Sequence, residues 1–234
     1  MSETLAQFRA RAIHDVDFEA FRLFPSPSIS SILDVGANRG QSIASLRTVL
    51  PHSAIDAFEA NPAFYEVLDA LTASVPGPLR IHRFGLGREN ARLAFYIPWV
   101  DDVPYLEEAS TRTDYFEKPW VVEKFRARGS LRLEQHFVEV RAGDELGLRP
   151  DLIKVDVEGA EHDVLLGLCN TINHTRPFLL IENSDWHNVT PFLGDLGYAP
   201  YQWEAATRSL VPFYKATTNT FYLHATKREG LPLV

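Results

Sequence analysis

Residues 31–42 read SILDVGANRGQS. Ile32 and Leu33 carry an apolar strand into Asp34, Gly36 and Gly40 stand four apart, and a helical pattern starts at Gln41. In an open α/β sheet, ligands sit at the carboxyl ends of the strands where strand order reverses, so such a turn marks a crevice. Gly36 permits a positive φ or a close backbone approach, and Gly40 permits close helix packing. The spacing D-x-G-x-x-x-G departs from the dinucleotide fingerprint G-x-G-x-x-G, and no Gly-Lys-Ser/Thr of a P-loop follows. Asp34 in the turn would repel a pyrophosphate and attract an amino group or a ribose hydroxyl. The next strand, SAIDAFEA, leads to Glu59, where one carboxylate can accept two ribose hydroxyls together. A glycine turn with a strand-end acid fits S-adenosylmethionine.

Outward from this turn, strands and helices alternate. Gln41–Leu50 reads as a helix stopped by Pro51, and Pro62–Ala73 as a second with Asn61 as N-cap and Pro62 in first position. LRIHRFGLG reads as a third strand and ARLAFYIP as a fourth, partly exposed one. At about 98–135 the pattern breaks into an aromatic, charged stretch with Trp99, Tyr105, Tyr115, Phe116 and Trp120, a candidate acceptor lid whose aromatics could equally cap the core or form a subunit contact. HFVEVRAG, DLIKVDVEG and PFLLIEN read as strands, AEHDVLLGLCNTI as one helix and VTPFLGDLGY as a short one. LVPFYKA and TFYLHA read as an antiparallel pair at one edge. The pattern predicts a doubly wound, mainly parallel α/β sheet with helices on both faces. Residues 1–30, with Leu5, Phe8, Phe18 and Phe21 at helical spacing, are expected to form a helical segment ended by PSPSISS; residues 31–234 form the α/β domain.

The net charge of −8 argues against nucleic acid and anionic lipid as partners. A single cysteine, Cys169, excludes an internal disulfide and a multi-cysteine zinc site. Residues 1–21 show no basic and apolar signal pattern, and no apolar run reaches the roughly 20 residues of a membrane helix. The expectation is a cytoplasmic protein that could form a homodimer, and whose N-terminal helices could pack on the domain, cover the site or join two chains.

ILDVGANRGQS, FEANP, FGLG, DLIKVDVEGAEHDVLLGL and LLIEN occur in order, and together they resemble the FkbM family of S-adenosylmethionine-dependent methyltransferases. The resemblance covers residues 31 to about 224. It implies a class I methyltransferase fold: a Rossmann-like, seven-stranded sheet with an antiparallel C-terminal strand. It also implies O-methylation of a sugar or natural-product hydroxyl. Asp34, Gly36, Ala37, Asn38 and Gly40 would then surround the methionine end of the cofactor, Glu59 its ribose, and Phe84 and Gly85 its adenine. Ser110 and Thr111 fall where the family often has a small hydroxyl residue near the acceptor.

At the fourth core strand, Lys154, Asp156 and Glu158 alternate, with Glu161 and His162 opening the next helix. Asp156, beside the transferring methyl, could orient the acceptor hydroxyl or take its proton. Lys154 could pair with it. Glu158 and Glu161 also suit a helix N-terminus, where acids stabilise the dipole. Glu158, His162 and Glu182 are the supporting catalytic candidates, and His187 is a further histidine near a strand end. Asp156 and Glu182 together could offer oxygen ligands to a divalent cation such as Mg²⁺, although acceptor hydroxyls account for them too and no metal is expected. The rivals are an NAD-dependent oxidoreductase, disfavoured by the glycine spacing, and a non-catalytic nucleotide-binding scaffold.

Overall fold

The computed structural model describes residues 3–25, 29–215, 217–231 and 233–234. The chain opens with α1 (Glu3–Arg9) and a 3-10 helix over Val16–Leu23, capped by the Asp15 side chain accepting from the Asp17 N–H. Residues 26–28 of the proline break lie outside the described residues. There follow β1 (Ser31–Val35), α2 (Gln41–Val49), β2 (Ala54–Phe58), α3 (Tyr65–Ser74) and β3 (Leu79–His82). Asn61 accepts from the Ala63 N–H at the start of a 3-10 turn that leads into α3. Next come β4 (Gly85–Gly87), β5 (Ala91–Val100), β6 (Val103–Pro104), α4 (Pro119–Arg126), β7 (Leu131–Ala142) and β8 (Leu152–Val155). The chain continues through α5 (Glu161–Gly167), α6 (Cys169–Thr175), β9 (Phe178–Glu182), α7 (Trp186–Asp195), β10 (Tyr198–Glu204), β11 (Ser209–Pro212) and β12 (Asn219–His224).

Among the described residues the main sheet has eight strands, ordered β11-β10-β12-β9-β8-β1-β2-β3. The five from β9 to β3 run parallel, whereas β12 is antiparallel to β9 and β10, and β10 to β11. Alternation along β1 feeds two separate cores. Ile32 packs with Ile43 and Leu46 of α2, and with Phe21; Leu33 and Val35 pack with Val164 and Leu165 of α5 and Leu193 of α7. Helices therefore cover both faces, as a buried parallel sheet requires. The N-terminal segment belongs to the first core, with Phe21 edge-on to Phe221 of β12 at 5.6 Å between ring centroids.

Three expectations change. The main sheet has eight strands and is mixed, not seven with one antiparallel strand. The added strand is β10, which Pro200 hides, because a proline inside a run argues against a strand. The two late strands do not pair with each other: β12 lies between β9 and β10, and β11 pairs with β10 at the edge. The helix read through residues 160–172 breaks at Leu168, where the Asp144 carboxylate accepts the N–H groups of Asn170 and Thr171 and starts α6.

ARLAFYIP and HFVEVRAG are strands, but they lie outside the main sheet. β5 and β7 pair antiparallel from Ala91↔Val140 to Val100↔Leu131, and with β4 and β6 they make a second sheet. FGLG likewise leaves β3 to form β4. The segment between β5 and β7 has its own small core of Val100, Tyr115, Phe116, Val121 and Phe125.

The second sheet rests on α5 through a glycine. A Cβ at Gly167 would stand 1.8 Å from the Gly87 carbonyl oxygen. Gly167→Ala must push β4 away, and overpacking of this kind costs about 1–3 kcal/mol. A lower urea midpoint with an unchanged m-value is expected; an unchanged midpoint would show that β4 is not closely seated on α5 there.

Candidate active site

Chain order in the main sheet reverses between β1 and β8, and the two strand ends are held together there. Gly36 has φ +82°, and a Cβ on it would lie 1.7 Å from the Asp156 carbonyl oxygen, so only glycine allows this approach. The buried Lys154 Nζ donates to the Gly36 carbonyl at 2.9 Å and stands 3.4 Å from both Asp34 Oδ1 and Asp156 Oδ2. Burial opposes its charge, but the two carboxylates outweigh burial and hold its pKa above the usual lysine value. Asp34 is fully buried and also accepts from Ser42 of α2 at 2.6 Å. Glu59 fixes the neighbouring strand end. Its Oε2 accepts from the Asn38 N–H at 2.7 Å and its Oε1 from the Asn61 N–H at 2.6 Å. Burial pushes this carboxyl up to about 7 against those two bonds.

A cavity of about 340 Å³ lies between these strand ends and the inner face of the second sheet. Gly36, Asn38, Glu59, Gly85, Asp156, Glu158 and Thr111 line it. Asp34, Ala37 and Gly40 stand behind it: Asp34 is spent on Lys154 and Ser42, and Gly40 lies against Leu71 of α3. Phe84 packs edge-on against Phe58 and is likewise off the wall. Sequence reasoning missed the opposite wall, which includes Leu93 and Phe95 of β5 and Val140 of β7, together with Leu106 and Ala109. Its signal was the alternation in ARLAFYIP, a strand with one face to cover. Acids dominate the charged lining. Glu59, Glu89, Glu107, Asp156, Glu158 and Asp163 face Arg88, the one basic residue of the described lining.

Asp156, Glu158 and Glu182 offer carboxylate oxygens all within 4.8 Å of one another. The strand does not persist beyond Val155; Glu158 reaches the group from a turn, with φ +54°. Ser110 Oγ donates to the Glu158 carbonyl at 2.6 Å, and the Tyr115 hydroxyl donates to the Glu158 carboxylate. Among the described residues, Glu182 keeps one buried oxygen, Oε2, without a hydrogen-bond partner. Burial, then Asp156, pushes Glu158 up to about 8, and burial with all three neighbouring acids raises Glu182 well above the carboxylate range. The trio has the oxygen donors for a divalent cation, and protons relieve the same crowding.

The remaining candidates scatter. Glu161 is fully buried, accepting from the Val157 and Gly159 N–H groups and from Ser184 Oγ, so it shapes the loop beneath the trio. His162 turns to Phe192 of α7, and His187 is exposed against Trp186. Neither lines the cavity, because the first turn of α5 aims Asp163 there instead. Of the five aromatics read as a lid, Tyr115 and Phe116 are core, Tyr105 packs edge-on against Phe125 and Trp99 lies under Arg132. Only Trp120 is largely exposed.

Residues 34–200 match the family described as "Methyltransferase FkbM domain". The chain is 33% identical over 178 residues to "Methyltransferase 1" of Beauveria bassiana (strain ARSEF 2860), covering 70% of this chain and 69% of the relative. The crystal structure of methyltransferase FkbM from Methylobacillus flagellatus KT shares the fold, with TM-score 0.53 and 14% identity; the match spans 94% of this chain and 58% of that one. No helix among the described residues is long and apolar enough to cross a membrane.

The raised acids give a testable sign. Glu158 and Glu182 bind protons more tightly folded than unfolded, so their contribution to stability is full below the ordinary carboxylate range and is lost as pH climbs through about 8. Glu182→Gln removes one ionisation and relieves Glu158. In urea unfolding, the stability of Glu182→Gln relative to the parent is expected to improve steadily from about pH 5 to 8. A difference that stays constant over that range would contradict the assignment.

Proposed function

The chain belongs to the FkbM methyltransferase family, and from that premise we propose that it moves a methyl group from S-adenosylmethionine to a hydroxyl of a sugar or natural-product acceptor. The observation that carries the proposal is the charge of the cavity at the strand switch. A sulfonium nucleoside presents positive charge at sulfur and at its ammonium group, whereas a dinucleotide presents two phosphates. Burial holds Glu59 and Glu158 toward their neutral forms, and arginines pair Glu107 and Asp163. Asp34 and Asp156, however, share the single ammonium of Lys154, and Glu89 adds a further carboxylate. This negative balance favours the sulfonium nucleoside and disfavours the dinucleotide, which weighs against an NAD-dependent oxidoreductase.

Gly36, Asn38 and Glu59 would hold the nucleoside. Each Glu59 oxygen accepts one amide and keeps a second lone pair, enough for a pair of ribose hydroxyls. Gly85, with the apolar wall from the second sheet, offers a surface for the adenine. When bound, S-adenosylmethionine supplies a methyl carbon already activated by its sulfonium. The chain's own residues have to orient the acceptor oxygen and receive its proton. Asp156 is the positioning group or base, with Lys154 as its resident counter-ion. Glu158, pushed up to about 8, can take up and release a proton near neutrality. The acceptor oxygen bonds to the methyl carbon as the carbon–sulfur bond breaks, and the hydroxyl proton passes to the carboxylate group. The products are a methyl ether and S-adenosylhomocysteine.

Titration calorimetry with S-adenosylhomocysteine, paired with transfer of a labelled methyl group, tests the two roles separately. Glu59→Ala is expected to weaken binding by about 10–100-fold, the loss of hydrogen bonds to a charged group. Asp156→Asn is expected to bind normally and transfer about 10²–10⁴-fold more slowly. Unchanged affinity in the first variant would remove Glu59 from the ribose, and full turnover in the second would remove Asp156 from the chemistry.

A further inference from the structure

A second cavity, of about 540 Å³, opens beside the first. Its walls come from three elements remote in sequence: Trp120 in the first turn of α4, the Glu182–Ser184 and Trp186 stretch after β9, and Phe213–Lys215 after β11. Its volume falls in the range of roughly 300–1,000 Å³ that small-molecule sites occupy. Three of its aromatics are open to solvent, with Trp120 46%, Trp186 40% and Tyr214 63% exposed. Packing does not account for large rings left in water around one hollow, whereas ligand binding does. Trp186 and Phe213 are neighbours on this wall, with ring centroids 6.3 Å apart and planes tilted by 44°.

Glu182 ties this cavity to the chemistry. It lines the second cavity, while Asp156 and Glu158, whose oxygens lie within 4.8 Å of its own, line the first. Trp120 packs edge-on against Tyr115, whose hydroxyl donates to Glu158. The two hollows meet at the carboxylate trio. We propose that the second cavity is the acceptor site and takes an uncharged, ring-shaped polyol, a saccharide or glycoside, stacked on Trp120 and Trp186 with one hydroxyl hydrogen-bonded to Glu182. The assignment rests on the methyl-transfer function proposed above.

The ligand class follows from what the walls require. Indole faces stack on the C–H face of a sugar ring, and the ring's hydroxyls meet polar groups at its edge. Thr218 and Glu182 provide such groups, while the Asn183 side chain is tied to Thr217 and Thr220 and shapes the wall between them. Among the described residues nothing bonds the buried Glu182 Oε2, and an occupant's hydroxyl, which both donates and accepts, can complete it in either protonation state. An apolar alcohol leaves most of the polar wall unmatched, and an anionic acceptor meets the repulsion of the trio. Lys215 is exposed and its Nζ lies 5.4 Å over the Tyr214 ring.

Saturation-transfer NMR and tryptophan fluorescence on the full chain saturated with S-adenosylhomocysteine test the assignment. The probes are the neutral disaccharides maltose, cellobiose and sucrose, with glucuronate as the anionic arm and cyclohexanol as the apolar arm. At least one disaccharide is expected to bind more tightly than glucuronate and cyclohexanol. Trp186→Ala and Trp120→Ala are each expected to weaken it at least about tenfold, as for a central aromatic contact, while Trp186→Phe retains part of the affinity. S-adenosylhomocysteine affinity should not move in any of the three variants. Absence of disaccharide binding, tighter binding of either other arm, or indifference to both alanine variants would overturn the inference. Loss of S-adenosylhomocysteine binding in the parent chain would instead sink the methyl-transfer proposal, so the two failures are distinct.

Discussion

The ammonium of Lys154 is buried where the strand order of the main sheet reverses, and three oxygens surround it. A buried charge is tolerated only with close partners, and each partner here fixes a different part of the site. The Gly36 carbonyl sets the turn after β1. Asp34, shared with Ser42, ties that turn to α2. Asp156 is the first residue of the carboxylate trio. A single cation thus aligns the nucleoside end of the site with its reacting end. Removing it would leave two carboxylates uncompensated beside a backbone that already approaches too closely for any side chain but glycine's.

The rest of the site depends on the second sheet. Strand ends alone make a shallow rim, and the ribbon of β5 and β7, seated on α5, turns that rim into a cavity with one acidic wall and one apolar wall. The acids are few enough to be placed and close enough to repel. Glu59 is held by two backbone amides, Glu161 by two more and a hydroxyl, and Glu158 by Tyr115. Among the described residues Asp34 Oδ1, beside the Lys154 ammonium, finds no hydrogen-bond donor, and neither does Glu182 Oε2. That asymmetry gives the trio a direction, with its unsatisfied side at the second cavity.

The sequence made the local parts of this arrangement readable. Apolar runs ending in glycine or acid marked β1, β2, β8 and β9, and the two-residue spacing of Lys154 and Asp156 at the end of β8 suggested their pairing. The trio was half visible, since Asp156 and Glu182 come together only because β8 and β9 pair in parallel with Val155 opposite Ile181. What could not be read was partner choice over distance. Alternation identified β5 and β7 as strands without saying that they pair with each other instead of joining the main sheet. Pro200 concealed β10, and with it the true neighbour of β12. The direction of a side chain at a strand end was equally hidden. Asp34 looked like a ligand contact and is a counter-ion behind the wall, while His162 begins a helix whose first turn presents Asp163 to the cavity instead.

A crystal of the protein soaked with S-adenosylhomocysteine tests the central claim most directly, that the acidic cavity at the strand switch receives a sulfonium nucleoside. The account predicts the ribose hydroxyls on Glu59, the adenine between Gly85 and the apolar wall of the second sheet, and the sulfur facing Asp156. An empty cavity, or one that admits NAD and rejects S-adenosylhomocysteine, would contradict it.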